Sequence, residues 1–561
     1  MFPCGYEQTI PVSPHLYTAL QQISQNNSAT NIWIDAICID QASDSEKEQQ
    51  VPKMDRIYSN ARRVLIWLGK ATSSRSPSQN TGLFIESAHL EEDSDLAMDA
   101  LASLNSKLAG IFVPIGVSDA QFPRYGLPRS TARVWRCIGD LVSRPWFRRL
   151  WVLQEVVLAR EIVVMCGSKR LAWDDLSLFW SHARRLRFEP LVKCSIIVNG
   201  SGYEGWTAID GICGIRLYQS QGGVPFAQLL EAGRNKDASQ AVDRIYGLLG
   251  LASQELRDNI QIDYSQASRR EFWRCYLNAA KYLVSHDSSL MLLSLSTSTE
   301  HRDKLPSWCL NFNSRQPEKI HFGEKLGWNA GFLPWETREC HITTCLATNL
   351  INVPGFRVDV IKDVVGDDTA DMEPFLNLLE DENKCSQVAT RFLCWEEQCL
   401  KLSQASSHDT PTSVPELHWR TLIADLELVE GVRRSPTNLQ GAIGYSNVMD
   451  MWRAVKGGFE NFKAPSMSGM ELLGNYSDSL DALQGRTFFN TVGGRVGRGP
   501  NNARSGDILC IFHSGRPLYV LRYEAKSEVA KFVGDAYVYG LMNLEKLPLD
   551  VRGKDEIFVI G

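Results

Sequence analysis

Two apolar runs of strand length, Asn31-Ile-Trp-Ile-Asp-Ala-Ile-Cys-Ile-Asp-Gln41 and Val64-Leu-Ile-Trp-Leu68, bracket a stretch whose apolar residues recur at helical spacing. No other feature restricts the fold as much. Nearly continuous apolar runs read as strands buried on both faces, and such strands belong to parallel sheets. Between them, Ser45 and Glu48 have capping-box spacing, and Val51, Met54, Ile57, Tyr58 and Ala61 supply an apolar helical face. Pro52 predicts a kink, or a helix that starts near Val51. Strand, helix and strand within about 40 residues make a right-handed crossover with the two strands adjacent and parallel.

Further along, Arg144 to Ala159 reads as a helix with Ser143 at its cap and Pro145 in its first turn, followed by the strand Ile162-Val-Val-Met-Cys-Gly167. A Ser-rich loop is expected over Thr72 to Asn80, with a mainly helical insertion up to Ala109. Ala241 to Leu251 and Arg269 to Ser285 are helical in pattern. Short strands, Asp507 to Phe512, Leu518 to Arg522 and Lys531 to Gly534, alternate with turns near the end. The expected fold is α/β: a parallel-sheet N-terminal domain over 1–167, a mainly helical region over 168–296, a mixed region over 297–475 with a flexible loop near 403–414, and a small β-rich C-terminal unit over 476–561.

With 59 Lys and Arg against 65 Asp and Glu, the formal net charge is -6, so no surplus of positive charge exists to neutralise a phosphate backbone, and nucleic acid is not an expected partner. No run approaches the roughly 18 apolar residues of a spanning helix, and Met1-Phe-Pro-Cys-Gly lacks the basic start and apolar stretch of a secretory signal, so the expected location is cytoplasmic. Of fourteen cysteines, Cys38, Cys166 and Cys510 sit in strand-like runs and read as reduced core thiols. The closest metal-like spacings, Cys340 to Cys345 beside His341 and Cys394 to Cys399, have four intervening residues rather than two, so no metal site is expected. Gly493-Gly-Arg-Val-Gly-Arg-Gly-Pro500 lacks the Lys-Ser/Thr pair and following helix of a phosphate loop and reads as a β-turn region; Gly69-Lys-Ala-Thr72 fails the same test.

Trp33-Ile-Asp-Ala-Ile-Cys-Ile-Asp-Gln41, Gln50-Val51, Met54, Ile57-Tyr58, Ala61 and Trp67-Leu-Gly69 resemble, in order and spacing, the fungal heterokaryon-incompatibility (HET) domain. Arg144-Pro-Trp-Phe147 through Trp151 to Gln154-Glu155 forms a second block of that resemblance. Asp243-Arg-Ile-Tyr246, Leu248-Leu-Gly-Leu251, Asp263-Tyr264, Pro306-Ser-Trp308 and the Gly499 to Gly540 segments are similar to those that follow the domain in many members. The family usually opens with a strand of the type Tyr-x-Ala-Leu-Ser-Tyr-x-Trp-Gly, which nothing before Asn31 supplies, so the first strand is expected to be missing. Val242 stands where Arg is common, Asn311-Phe312 where Asp-Trp is usual, and Tyr539 where His is usual.

The resemblance implies a flavodoxin-like or TIR-like fold for the N-terminal domain and a non-self-recognition module linked to programmed cell death in filamentous fungi, acting by association with protein partners or with its own copies. Its motif residues, Trp33, Asp35, Cys38, Asp40, Gln41, Tyr58, Trp67, Gly69, Arg144, Pro145, Trp146, Phe147, Trp151 and Gln154, become candidates for ligand contact. Glu155 is the candidate catalytic residue: positions 147, 151 and 155 would share one helical face and set its carboxylate in line with Phe147 and Trp151. Two readings are open for it. One is a partly buried carboxylate paired with Arg148, Arg149 or another Arg. The other follows from the likeness of HET domains to TIR domains, whose NAD-cleaving members carry a Glu after a tryptophan motif; NAD would then be a substrate, and no bound cofactor is implied. Asp35 and Asp40 flank the carboxyl end of the first run, where open sheets place ligand-contacting groups, or Asp35 caps a turn or orients Arg144, Arg148 or Arg149. Trp33, Trp67, Trp146 and Trp151 read first as core aromatics and second as stacking surfaces.

Overall fold

The computed structural model of the chain describes residues 2–4, 8–25, 31–71, 93–112, 115, 121–186, 188, 192, 202–286, 290–295, 304–312, 342–344, 348–366, 382–406, 414–429, 432–457, 466–543 and 555–561. They fall into two units, Met1–Phe272 and Trp273–Gly561. The Ser-rich segment expected as a loop over Thr72 to Asn80 lies outside the described residues, as do Cys340, His341 and Cys345.

In the first unit, Phe2–Cys4 (β1) and Gln8–Ile10 (β2) form a hairpin. Val64–Trp67 (β3), Ile162–Cys166 (β4) and Lys169–Ala172 (β5) make a three-stranded sheet in the order β3-β4-β5. β3 runs parallel to β4, with Val64 opposite Ile162, while β5 returns antiparallel. The parallel partner of β3 is thus the strand near residue 164 and not the run from Asn31 to Gln41. That run is not a strand: Asp35–Cys38 is a single helical turn, and Ile39 alone of its apolar residues is fully buried. The cause is local. Asp35 Oδ1 accepts from the Ala36 N–H at 2.7 Å, Gln41 Nε2 donates to the Asp35 carbonyl at 3.0 Å, and Asp40 Oδ1 accepts from the Ala42 N–H at 2.9 Å. Short polar side chains offer the backbone an alternative to a sheet ladder, and here they win. Cys38 is consequently exposed, unlike Cys166 and Cys510, which are buried in strands as expected. β3 also alternates, with Val64 and Ile66 buried and Leu65 exposed, so it is covered on one face only.

Helices supply the rest of this unit. Asp44–Gln50 is capped by Ser43, whose hydroxyl accepts from Glu46 N, two residues earlier than the capping-box spacing suggested. Pro52 opens a 3-10 turn, Val51–Lys53, and Met54–Asn60 continues as a separate helix, so the expected kink is present. The helical insertion appears as Asp93–Leu108, which packs against Arg133–Val142 and Trp173–Arg185. Gly202–Ser220, Phe226–Gly233 and Asp243–Leu249 complete the layer that supports the site.

The second unit is built on a β-barrel. After the short Thr343–Thr344 (β6), the long strand Ile351–Val365 (β7) pairs with both Thr487–Thr491 (β10) and Ile508–Phe512 (β12). Glu427–Val429 (β8) and Val432–Arg434 (β9) form a separate hairpin. With Val496–Gly499 (β11), Leu518–Tyr523 (β13) and Ala530–Val538 (β14), the pairings β7-β10-β11-β14-β13-β12-β7 close on themselves, all antiparallel, into six strands. Closure leaves no open edge within that ring. Glu556–Ile560 (β15) pairs along β7 from outside the ring. Of the segment Gly493 to Pro500 expected as a β-turn region, Gly493-Gly494 make the turn that joins β10 to β11, whereas Val496–Gly499 is the strand β11 itself.

Phe356, Phe489, Ile511, Val520 and Val538 belong to the barrel's apolar core. Helices Glu382–Ala405 and Val414–Leu422 pack on β10 and β11, so Phe488 and Val496 are buried in a second, helical cluster. Ser403, expected in a flexible loop, is helical, and residues 407–413 of that loop lie outside the described residues. Ser403 joins a buried network: its hydroxyl donates to the Cys399 carbonyl at 3.1 Å and lies 3.0 Å from His418 Nδ1, while His418 Nε2 is 2.9 Å from Glu396, which also accepts from the Tyr445 hydroxyl. Those two donors, outweighing burial, hold the Glu396 carboxyl below its ordinary range. Among the described residues no helix is long and apolar enough to cross a membrane.

Arg486 and Asp535 are fully buried and paired at 2.6 Å, and Arg486 Nη1 also donates to the Asp535 carbonyl at 3.0 Å. Removing one partner strands a charge where no water can reach it. Asp535→Ala is expected to destabilise the second unit by about 3–5 kcal/mol in urea unfolding, and Arg486→Met with Asp535→Leu by clearly less. Equal losses for the single and double variants would contradict this account of the pair.

Candidate functional site

The segment from Arg144 to Ala159 does not fold as one helix. Pro145–Arg148 is a 3-10 turn with proline in its first positions, Arg149 is extended, and Val152–Val157 is a separate short helix. The break has a partner: Leu150 N–H donates to the Asp237 carbonyl at 2.9 Å and Asp237 N–H donates to the Arg148 carbonyl at 2.6 Å. Those backbone bonds replace the ones a continuous helix would have made. Phe147, Trp151 and Glu155 therefore do not share one helical face, and the expected alignment is corrected. The indole that meets the Glu155 carboxyl is that of Trp146.

Four pieces of chain converge there. Glu155 comes from the Val152–Val157 helix, Trp146 and Arg149 from the turn before it, Tyr58 from the Met54–Asn60 helix, and Asp35 from the single turn Asp35–Cys38. Glu155 retains some contact with solvent but is enclosed by protein on most sides. Desolvation pushes its carboxyl up to about 7; the Arg149 charge opposes this, the Asp35 charge adds to it, and the hydrogen bond from Trp146 opposes it. Tyr58 is driven well above its ordinary value, first by burial and then by the negative charges of Glu155 and Asp35. Trp33 meets Tyr58 edge to face, centroids 5.9 Å apart.

Other candidates build the surroundings. Arg144 Nη1 donates to the carbonyls of Leu68 at 2.8 Å and Lys70 at 3.0 Å, fixing the loop after β3. Gly69 lies in that loop at φ +111°, where a side chain would be strained and its Cβ would sit 3.2 Å from Arg144. Trp67 faces His15 at 6.3 Å between centroids. Phe147 is buried, Pro145 exposed. Gln41 ties its turn to the Asp35 carbonyl, Asp40 caps the Ala42 N–H, and Cys38 is exposed. Gln154 is buried and packs so closely on Gly250 that a Cβ there would come within 2.7 Å of its amide. Of the four tryptophans, Trp146 is buried and Trp33, Trp67 and Trp151 are half-buried.

Three further residues carry this scaffold. Asp243 is 5% exposed, accepts from the Tyr264 hydroxyl at 2.9 Å and from the Gln240 N–H at 3.3 Å, and is bonded by the Trp151 indole. Tyr264 N–H donates to Glu48 at 2.8 Å, and Lys47 lies 5.4 Å over its ring. Lys236 is buried, donates to the Phe147 carbonyl at 3.0 Å, and is pushed down to about 8 by desolvation, against the neighbouring Asp237. The motif blocks contained Asp243 and Tyr264 but not their mutual contact; Arg-Asn-Lys-Asp around Lys236 reads as surface, and nothing in that segment signals burial. Among the described residues no cluster of metal-ligating side chains is present.

A carboxyl that changes charge near neutrality can give or take a proton, or, ionised, stabilise a developing cation. Beside it, the Tyr58 and Trp146 rings supply aromatic surface. The arrangement therefore has one titrating group, one nearby cation in Arg149 and two aromatic walls.

This is a chain with a helix-rich α/β module at one end and a closed β-barrel at the other. Residues 4–155 match the family described as heterokaryon incompatibility protein (HET), and residues 464–560 match the Het-6 beta-barrel domain. Two separate segments of the chain are thus similar to the HET domain and to the Het-6 barrel. It is 23% identical to heterokaryon incompatibility protein 6, OR allele, of Neurospora crassa, across 94% of this chain and 83% of the relative. No solved structure gives a significant match.

Because folding raises the Glu155 carboxyl from about 4.3 to about 7, its protonated form favours the folded state. That contribution is complete below about pH 4 and is lost as pH rises to about 7. Glu155→Gln, which cannot titrate, should therefore gain stability relative to the parent across this window, by about 1–3 kcal/mol, and level off above it. A pH-independent difference in chemical unfolding would contradict the placement of Glu155.

Proposed function

We propose that the chain is a signalling module of fungal heterokaryon incompatibility, converting a non-self cue into growth arrest or death by association with protein partners, second copies of itself included. One observation carries this: the similarity to the Neurospora incompatibility protein extends over 94% of the chain and takes in both the HET domain and the barrel. The reading places the protein in the cytoplasm, needs no cofactor and makes the HET domain the effector part.

A second reading is favoured by the setting of Glu155. A carboxyl pushed up to about 7, beside Trp146 and close to Tyr58, suits cleavage of the nicotinamide–ribose bond of NAD in a TIR-like manner. The ionised carboxylate would stabilise the oxocarbenium-like ribose, an aromatic wall would hold the leaving nicotinamide, and water would add at the ribose carbon, giving ADP-ribose and a proton.

The chain and its Glu155→Gln variant, expressed at matched levels in a filamentous host, separate the two. The first reading expects growth arrest from both, with no nicotinamide released when the purified protein is incubated with NAD. The second expects release by the parent and a loss of at least a hundredfold in the variant, together with loss of arrest. Absence of arrest from the parent in every incompatible pairing would refute the incompatibility role.

A further inference from the structure

On the first unit, with none of the residues around Glu155 in its lining, a cleft of about 310 Å³ is lined by Arg63, Arg160, Arg170 and Arg216 against only two carboxylates, Glu161 and Asp174. The topology explains the gathering. β3 and β4 are parallel, so the residues just before them, Arg63 and Arg160-Glu161, come to the same end of the sheet. β5 returns antiparallel and brings Arg170 and Ala172, and the Gly202–Ser220 helix contributes Arg216.

The charges do not cancel. Arg63 is neutralised by Glu161, with Nε 2.7 Å and Nη2 2.5 Å from the same oxygen. Asp174 is exposed in the first turn of Trp173–Arg185, where it offsets the positive end of that helix. Arg216 directs Nη1 to the carbonyls of Val156 and Ala159, which fixes the guanidinium without neutralising it. Arg160 and Arg170 are exposed and have no acidic partner among the described residues. Three positive guanidiniums thus line a cleft in a chain whose formal charge is -6. Planar guanidinium forks match the oxygens of phosphoryl groups, and three of them match a group that carries more than one charge. The walls between them, Val163, Leu171 and Ala172, offer no acid to compete.

We propose that this cleft binds a small phosphorylated molecule through a diphosphate group. Inorganic pyrophosphate and ADP are the two probes, titrated calorimetrically into the full-length protein. One-to-one binding of at least one probe is expected, weakening steeply between 50 and 300 mM salt on the order expected for several ionic contacts. Arg160→Ala with Arg170→Ala should weaken it roughly tenfold or more, while Arg160→Lys with Arg170→Lys should retain part of it and Arg453→Ala, an exposed side chain of the other unit, all of it. Equal binding of both probes means that the diphosphate alone is read, tighter ADP that the nucleoside adds contacts, and tighter pyrophosphate that the cleft excludes it; each supports the site. Saturable binding of neither probe, or binding that the folded double alanine variant keeps, overturns it.

Discussion

A carboxylate withdrawn from water is tolerated only where donors replace the water it has lost, and Asp243 is such a group. Its donors come from three places in the chain: the Trp151 indole, the Tyr264 hydroxyl and the Gln240 N–H. Tyr264 in turn donates its N–H to Glu48 and lies under Lys47, so the Asp44–Gln50 helix is held by the same chain of contacts. Arg257 to Asp55 and Arg269 to Asp44 add two ionic ties between the same segments. If Asp243 were lost, the Trp151 turn and the Asp44–Asn60 helices would lose their common fixed point.

Burial raises both carboxyls, Asp243 in spite of its donors and Glu155 with fewer of them. Glu155 is given an indole and the charge of Arg149 rather than a full set of donors, and a second carboxylate, Asp35, lies close enough to oppose its ionisation. Burial without full satisfaction leaves a group whose charge depends on pH near neutrality. The stability that this forgoes is supplied by buried neighbours: Leu150 bonded to Asp237, Gln154 seated on Gly250, Lys236 on the Phe147 carbonyl. A closely packed shell around one poorly satisfied group is what positions a titrating side chain.

Much of this was legible in the sequence, and the failures have physical reasons. Apolar content identified Val64 to Trp67 and Ile162 to Cys166 as strands because strand length, flanking glycine and β-branched residues agreed. The same criterion failed at Asn31 to Gln41, where Asp35, Asp40 and Gln41 offered local bonds that periodicity does not count. Pro52 signalled its kink, whereas nothing at Arg149 signalled an extended residue, since its partner Asp237 is 88 positions away. The barrel strands β12, β13 and β14 were visible singly, but not β10 and β11, nor that β7, more than a hundred residues upstream, closes the ring. Glu155 was found by its place in a motif; that Trp146 rather than Trp151 would touch it depended on the same unforeseen break.

The central claim is that the clamp at Asp243 sets the environment of Glu155, although the two carboxyls do not touch. Carboxyl-carbon NMR titration of Glu155 in Asp243→Ala, with the parent as reference, tests it most directly. With the clamp gone, the turn carrying Trp146 and Arg149 should loosen and admit water, and the Glu155 midpoint should fall from about 7 toward the ordinary value of about 4.3. A folded Asp243→Ala protein in which Glu155 still titrates near 7 would contradict the account.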